Sequence, residues 1–315
     1  MIDRSRLASL RAAEEDRFAD LHPRSADLAE QARGPLLAGV PMPWMTRWPG
    51  RFPVFFESAS GARLTDVDGT EYVDLCLGDT GAMTGHALPQ VTSALAERAS
   101  RGITTFLPSA DAVLVAEELA RRFGLPTWQL AMSATDANRF VLRFARHLTG
   151  RPRVAAMDWC YHGTVDETLA VLDDGRVVAR PGALGPQVPV AETTAVIPFN
   201  DADALDRRLA HGDVACLLME PALTNIGIVL PDPGYLEAVR EITRRRDVLL
   251  VIDETHTLCA GPGGATAAWG LDPDLLVVGK PIGGGVPCAA YGMTAEVGDR
   301  LSGPMLGHEI DVAGV

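Results

Sequence analysis

An α/β fold with a mostly parallel, doubly covered sheet is what this chain of 315 residues predicts. Three observations carry that reading. From about residue 88 onward, short apolar runs of strand length alternate with segments of helical periodicity. The runs are not interleaved with polar residues, as expected of strands buried on both faces. An apolar content of 47% is ample for one large core.

Taken in order, the first forty residues read as helical and amphipathic, with Leu7, Leu10, Phe18 and Leu21 recurring among charges. Glycine and proline cluster from Gly34 to Pro53, an irregular connector. Residues 53–76 carry strand-like runs with an Asp68-Gly69 turn between Ala62–Asp66 and Tyr72–Leu75, a hairpin signal. We therefore divide the chain into a small N-terminal unit over 1–76 and a large domain over 77–315. In the latter, a helix at 109–123 stops at Gly124, and a second at 136–148 shows one apolar stripe. Buried strands are expected at 154–157, 195–197, 214–219, 248–252 and 275–278.

Ligands of open α/β sheets sit outside the carboxyl ends of the strands. There stand Glu220, Asp253, Gly279-Lys280 and the loop Trp159-Cys160-Tyr161-His162-Gly163. Lys280 is the only lysine: the other 27 of the 28 basic residues are arginine. It closes an apolar run and opens the glycine-rich turn Pro281-Ile282-Gly283-Gly284-Gly285. An amine so placed is expected to be partly desolvated, with a lowered pKa, and usable as a Schiff-base nucleophile. An incidental charge at a strand end is the other reading of this residue alone. Ser133-Ala134-Thr135-Asp136-Ala137-Asn138 opens the second helix, where free N–H groups make an anion site. Ser133 followed by Asp136 also fits a variant capping box, and taken alone capping is the better reading.

Composition excludes other classes. A net charge of −13 argues against a nucleic-acid partner, leaving room only for a local arginine pocket for a small anion. The start Met1-Ile2-Asp3-Arg4 is charged with no apolar region behind it, and no apolar run is long enough to span a bilayer. The five cysteines are scattered and never in a CxxC pair, so we expect reduced, mostly buried thiols in the cytoplasm and no metal site.

A cofactor that uses all of these groups is pyridoxal 5′-phosphate (PLP), which needs a lysine for its aldehyde, a carboxylate for its ring nitrogen and a helix start for its phosphate. Through ordered motifs along most of its length, the chain resembles the class III aminotransferases of PLP fold type I, especially the glutamate-1-semialdehyde aminomutase branch. The motifs are Gly61 to Gly69, Gly85-His86-Ala87-Leu88-Pro89, Ser133 to Asn138, Tyr161-His162-Gly163, Glu220-Pro221 with Asn225 and Gly227, Asp253-Glu254, and Gly279-Lys280-Pro281. The resemblance implies an internal aldimine on Lys280, which also shuttles the substrate proton, and Asp253 on the pyridinium nitrogen. It further implies Tyr161 stacked on the ring with His162 beside it, the phosphate on Ser133, Ala134 and Thr135, Asn225 at the ring hydroxyl, and Glu220 in support. It also implies a homodimer acting on a small amine or amino acid and an oxo substrate.

This chain departs from the family pattern in places. Ser-Ala-Thr-Asp-Ala replaces Ser-Gly-Thr-Glu-Ala, and Thr255 replaces the valine under the ring, where its methyl still fits. His256 reads as a loop histidine. Trp44 and Arg47 stand near, but not at, the aminomutase branch's substrate positions, and Asp79, if it points inward, would repel a substrate carboxylate. These differences favour a transaminase over the aminomutase. A truncated PLP-binding homologue without turnover stays open, whereas a dinucleotide-binding fold does not fit glycines that follow a late strand. Members of the family usually finish with a C-terminal small domain, and this chain ends at Val315 without a stop-like helix cap, so most of that domain is expected to be missing.

Overall fold

The computed structural model describes residues 3–185 and 188–307. The C-terminal stretch without a helix stop, 308–315, lies outside them. The chain divides into two compact units: Met1–Leu77 with Thr84–Glu97, and Gly78–Met83 with Arg98–Val315.

The first unit opens on α1 (Arg4–Leu21) and α2 (Pro23–Ala32). Asp3 caps α1 by accepting the N–H groups of Ser5 and Arg6. The expected apolar face of α1 is not buried: Leu7, Leu10 and Leu21 each stay more than 50% exposed. Glu14 interrupts the same helical stripe and pairs with Arg17 on the surface. Strands β1 (Phe56–Ser60), β2 (Arg63–Asp66) and β3 (Glu71–Val73) form an antiparallel sheet. The Asp68-Gly69 turn is where the sequence places it, because Asp66 accepts the N–H groups of Asp68 and Thr70 at 2.9 and 2.8 Å. His86 bonds Asp74 at 2.7 Å and its backbone pairs with Gly61, so the Gly-His motif holds this unit together.

Helix α3 (Pro89–Arg101) leads into the second unit. There β4 (Thr127–Ala131), β5 (Arg153–Met157), β8 (Thr194–Ile197), β9 (Val214–Met219), β10 (Leu249–Asp253), β11 (Leu275–Val278) and β12 (Ala289–Met293) build a seven-stranded sheet in the order β4-β12-β11-β10-β9-β5-β8. A separate hairpin, β6 (Ala170–Asp173) with β7 (Arg176–Ala179), follows β5. Every pairing from β8 to β11 is parallel, and β12 runs antiparallel between β11 and β4. All five buried strands expected from the sequence are present. β4 and β12 had no counterpart among them, because glycine breaks β12 and polar residues break β4.

Successive residues of the central strands face opposite layers. Cys216, Leu218, Val251, Leu275 and Val277 pack with Ala137, Val141, Phe144 and Ala145 of α5 (Ala134–Thr149), beside Val297 and Leu301 of the C-terminal helix Ala295–Leu306. Leu217, Met219, Leu250 and Ile252 pack with Leu205 and Leu209 of the helix Ala202–Leu209 and with Val239 and Ile242 of the helix Tyr235–Arg245. Both faces are dry, which is why the runs read as continuously apolar. Helix α4 (Ala110–Phe123) and α5 end on Gly124 and Gly150, both left-handed, so the predicted cap at Gly124 is in place.

Gly292 is opposite Trp128 across the β12–β4 ladder, and a Cβ there would come within 2.6 Å of the indole ring. Gly292→Ala is therefore expected to destabilise the protein by about 1–3 kcal/mol through overpacking. Urea unfolding checks this; unchanged stability would show that the indole moves aside freely.

Candidate active site

The parallel strands bring their carboxyl ends to one edge, and a buried charge organises it. Asp253, the last residue of β10, is 3% exposed. Its carboxylate accepts His162 Nδ1 at 2.8 Å, Asn138 Nδ2 at 3.0 Å and the Thr255 N–H at 3.0 Å. Burial pushes the Asp253 carboxyl up, but the His162 hydrogen bond and charge, with the Thr255 and Asn138 donors, overcome it and hold the group below its ordinary value. Burial pulls His162 the other way, and its interactions with Cys160 and Asp253 leave it raised well above the ordinary imidazole. Both shifts favour the ionised pair over the neutral one. Asn138 also donates to the His162 carbonyl at 3.2 Å, tying the start of α5 to the loop after β5.

Lys280 follows β11 through Gly279 and has a positive φ of 42°. Its side chain is 27% exposed, less desolvated than the apolar run before it suggested. The amine donates to Asp79 Oδ2 at 2.5 Å and lies 2.7 Å from His256 Nε2. Burial and the Lys280 charge lower the His256 pKa. Burial raises the Asp79 carboxyl, while the Lys280 hydrogen bond and charge reverse the sign and leave it lowered. His256 is therefore not a bystander in a loop, and Asp79 is turned to the amine.

Helix α5 begins against both of these groups. A Cβ on Gly279 would sit 2.9 Å from the Ala134 methyl and 3.4 Å from Thr255 Oγ1. Gly163, at φ +80°, packs so closely on Thr135 that a Cβ would overlap the Thr135 hydroxyl. The lysine turn, the aromatic loop and the helix start therefore touch through glycines. Ser133 caps α5, accepting the Asp136 N–H at 3.2 Å and donating to its carboxylate at 2.8 Å, so the capping reading holds. What the helix start offers an anion is the N–H groups of Ala134 and Thr135, which have no carbonyl one turn back.

Other expected residues fall around this core. Glu220 is 2% exposed and accepts Thr224 Oγ1 at 2.5 Å; burial raises its pKa, and its Oε1 has no protein partner. His162 Nε2, Asn138 Oδ1 and Thr255 Oγ1 are likewise buried without one among the described residues. Tyr161 is 39% exposed, and Asn225 is exposed in the turn closed by the Leu223–Val229 bridge. Glu254 faces away from the site: fully buried, it accepts Thr257 Oγ1 and the N–H groups of Ala265 and Thr266. Trp44 and Arg47 lie in the turn Pro43–Arg47 of the first unit. The expectation of mostly buried thiols is only partly met, since Cys160 and Cys216 are buried and Cys76 and Cys259 are exposed.

Residues 44–308 match the family model described as aminotransferase class-III. The chain belongs to that family. A glutamate-1-semialdehyde 2,1-aminomutase from Myxococcus xanthus is 36% identical over 307 residues, covering 93% of this chain and 71% of its own length. The crystal structure of a glutamate-1-semialdehyde-aminomutase from Pseudomonas aeruginosa PAO1 is 50% identical with a TM-score of 0.93, covering 96% of this chain and 67% of that one. A variant of it in complex with PMP aligns at a TM-score of 0.91. An omega-transaminase from Sphaerobacter thermophilus aligns at 33% identity and a TM-score of 0.80, covering 87% and 64% of the two chains. The chain thus spans about two thirds of the length of these class III relatives.

The sequence reading named Asn138, His256 and Asp79 but missed the contacts that the structure gives them. Asn138 had a legible signal, a polar residue beside Ala137 and Val141 in an apolar stripe. His256 lies three residues after a strand-end aspartate, a spacing that could have marked it. Asp79 carried none, because its approach to Lys280 spans 201 residues and rests on a φ of 56°.

Replacing Asp253 leaves His162 buried without its counter-charge, so Asp253→Asn should lower stability by about 3–5 kcal/mol near neutral pH. The Asp253 pKa is lowered on folding, so its contribution is present above the ordinary value of 3.8 and fades as pH falls through the folded value. Urea unfolding of both proteins from neutral to acid pH should show the gap narrowing below about pH 4. A pH-independent gap would mean that Asp253 acts through packing alone.

Proposed function

We propose that this chain binds pyridoxal 5′-phosphate at the carboxyl edge of the sheet and moves an amino group between a small amine or amino acid and an oxo acid, ketone or aldehyde. One observation carries the reading: an amine, Lys280, and a buried carboxylate kept charged by His162, Asp253, flank a helix start that both loops press against. The residues fit the group. The Ala134 and Thr135 N–H groups and the Thr135 hydroxyl would hold the phosphate, and Asp253 the ring nitrogen. Tyr161 and Thr255 would hold the ring faces, and Lys280 the aldehyde. Thr255 Oγ1 and Glu220 Oε1, buried without protein partners, are available to polar atoms of a bound molecule. When bound, the cofactor withdraws electrons from the substrate carbon through a protonated ring.

The chain's own groups do the remaining work. Asp253 keeps a negative charge where a protonated ring nitrogen would stand, and His162 and Asn138 fix its direction. Lys280, held by Asp79 and His256, carries the proton between positions on the substrate and cofactor. Trp44 and Arg47 are proposed to reach the substrate, and Asn225 the ring hydroxyl. A homodimer is proposed, supported by exposed Ile103, Phe106 and Leu107 in the second unit, an apolar patch suited to a second copy. Five scattered cysteines with no CxxC pair among them suit the reducing cytoplasm.

A second reading, intramolecular transfer as in an aminomutase, is favoured by the relatives from Myxococcus xanthus and Pseudomonas aeruginosa. Against it stand Trp44 and Arg47, which lie near, but not at, the substrate positions of the aminomutase branch; Asp79 at the lysine amine disfavours a substrate carboxylate close by in either reading.

Two measurements test these readings. Borohydride added with pyridoxal phosphate should fix the cofactor to the Lys280 peptide, and Lys280→Ala should abolish it; label on the N-terminal amine instead would remove Lys280 from the mechanism. Transfer from an amino donor should require a separate oxo acceptor. Isomerisation of one amino aldehyde without any acceptor would favour the aminomutase.

A further inference from the structure

His256 begins the loop that follows Asp253, Glu254 and Thr255, and its side chain is 18% exposed. Its Nε2 lies 2.7 Å from Lys280 Nζ and 3.9 Å from Asp79 Oδ2, while Asp79 holds the same amine at 2.5 Å. With both contacts made, the ammonium donates one proton to a carboxylate and presents another to an imidazole nitrogen. A histidine placed only for packing has no need to aim a ring nitrogen at the one lysine of the chain.

We propose that His256 is the base for the Lys280 amine, taking a proton from the ammonium while Asp79 fixes the amine in place. This rests on the reading of Lys280 as the nucleophile. In the step, one Nζ–H bond breaks and its electron pair stays on Nζ as the attacking pair. The proton bonds to His256 Nε2 and makes an imidazolium. The charged and titratable groups facing that ring are Lys280, Asp79, Asp253 and His162. The two carboxylates favour the imidazolium, while Lys280 and His162 oppose it. Neutralising Lys280 removes one of the opposing charges as the proton arrives. Alone the transfer runs uphill; the bond that the freed pair forms draws it forward. Partial exposure then lets the imidazolium pass its proton to water. Before the step the ring is neutral at neutral pH, because burial and the Lys280 charge hold its pKa below the ordinary 6.5.

The single lysine makes a direct test possible without cofactor. Acetic anhydride labelling of the 315-residue chain, followed at the Lys280 peptide, reads the reactivity of that amine across pH. Any amine labels faster as pH rises towards its own titration; with His256 acting as base, wild-type labelling carries in addition an excess over His256→Gln that falls away below pH 6.5, where the imidazole takes up a proton. At neutral pH the excess should be about tenfold or more. A hindered base that the anhydride does not acylate, 2,6-lutidine, should raise the rate in His256→Ala, and labelling should slow in D2O more in wild type than in His256→Gln. Equal rates and equal pH profiles in wild type and His256→Gln would overturn the proposal, as would the absence of a D2O effect on the wild type, which needs no variant to fold. Borohydride fixation of pyridoxal phosphate on Lys280 is read separately, so the cofactor reading and the base reading can fail independently.

Discussion

A carboxylate buried at the end of a central strand sets the terms for everything around it. Asp253 is 3% exposed, and an ionised group removed from water needs compensation from charge and donors. The protein supplies these from three separate places: His162 from the loop after β5, Asn138 from the first turn of α5, and a backbone N–H from the next loop. Each donor must arrive within hydrogen-bond distance, so the loops after β5 and β10 and the start of α5 have little freedom relative to one another. The glycines at 163 and 279 are the geometric counterpart, since a side chain at either would push the helix start away.

The adjacent acidic residue illustrates how the pleat divides labour. Asp253 and Glu254 are neighbours in sequence, and both are buried. One carboxylate meets the charged pair at the sheet edge, while the other gathers N–H groups of the segment around Gly264. At Gly264, itself left-handed, a Cβ would strike the Glu254 carboxylate at 2.6 Å. The first acid is proposed to have a chemical use and the second has an architectural one, although nothing in the dipeptide distinguishes them.

Much of the fold was legible because strands buried on both faces write uninterrupted apolar runs, and helices ending on left-handed glycine write their own stops. The strand-end residues Glu220, Asp253 and Lys280 followed from the rule that parallel strands share a carboxyl edge. The strands at 127–131 and 289–293 did not follow, since Trp128 covering Gly292 is a pairing no local pattern records. The same reason hid the contacts of Asp79 and His256, which were named in the sequence but meet one amine only in the fold. The apolar positions of α1 misled in the opposite direction, because periodicity reports a possible face and not what covers it.

The place of β12 has a kinetic consequence. It pairs with β11, which has just been made, and with β4, so that Ala289 meets Ala131 across a long stretch of intervening chain. Contacts so remote in sequence carry a large closure cost and slow the approach to the native state. Until residues 289–293 emerge from the ribosome, β4 has no partner in this sheet and β11 exposes a bare edge. The Lys280 turn lies immediately before that strand, so its geometry is fixed only when the chain reverses and zips into the gap. Ordering of the Lys280 turn thus waits for the chain to reach residue 293, and the open edge that precedes it leaves a nascent chain exposed to pairing with the wrong partner.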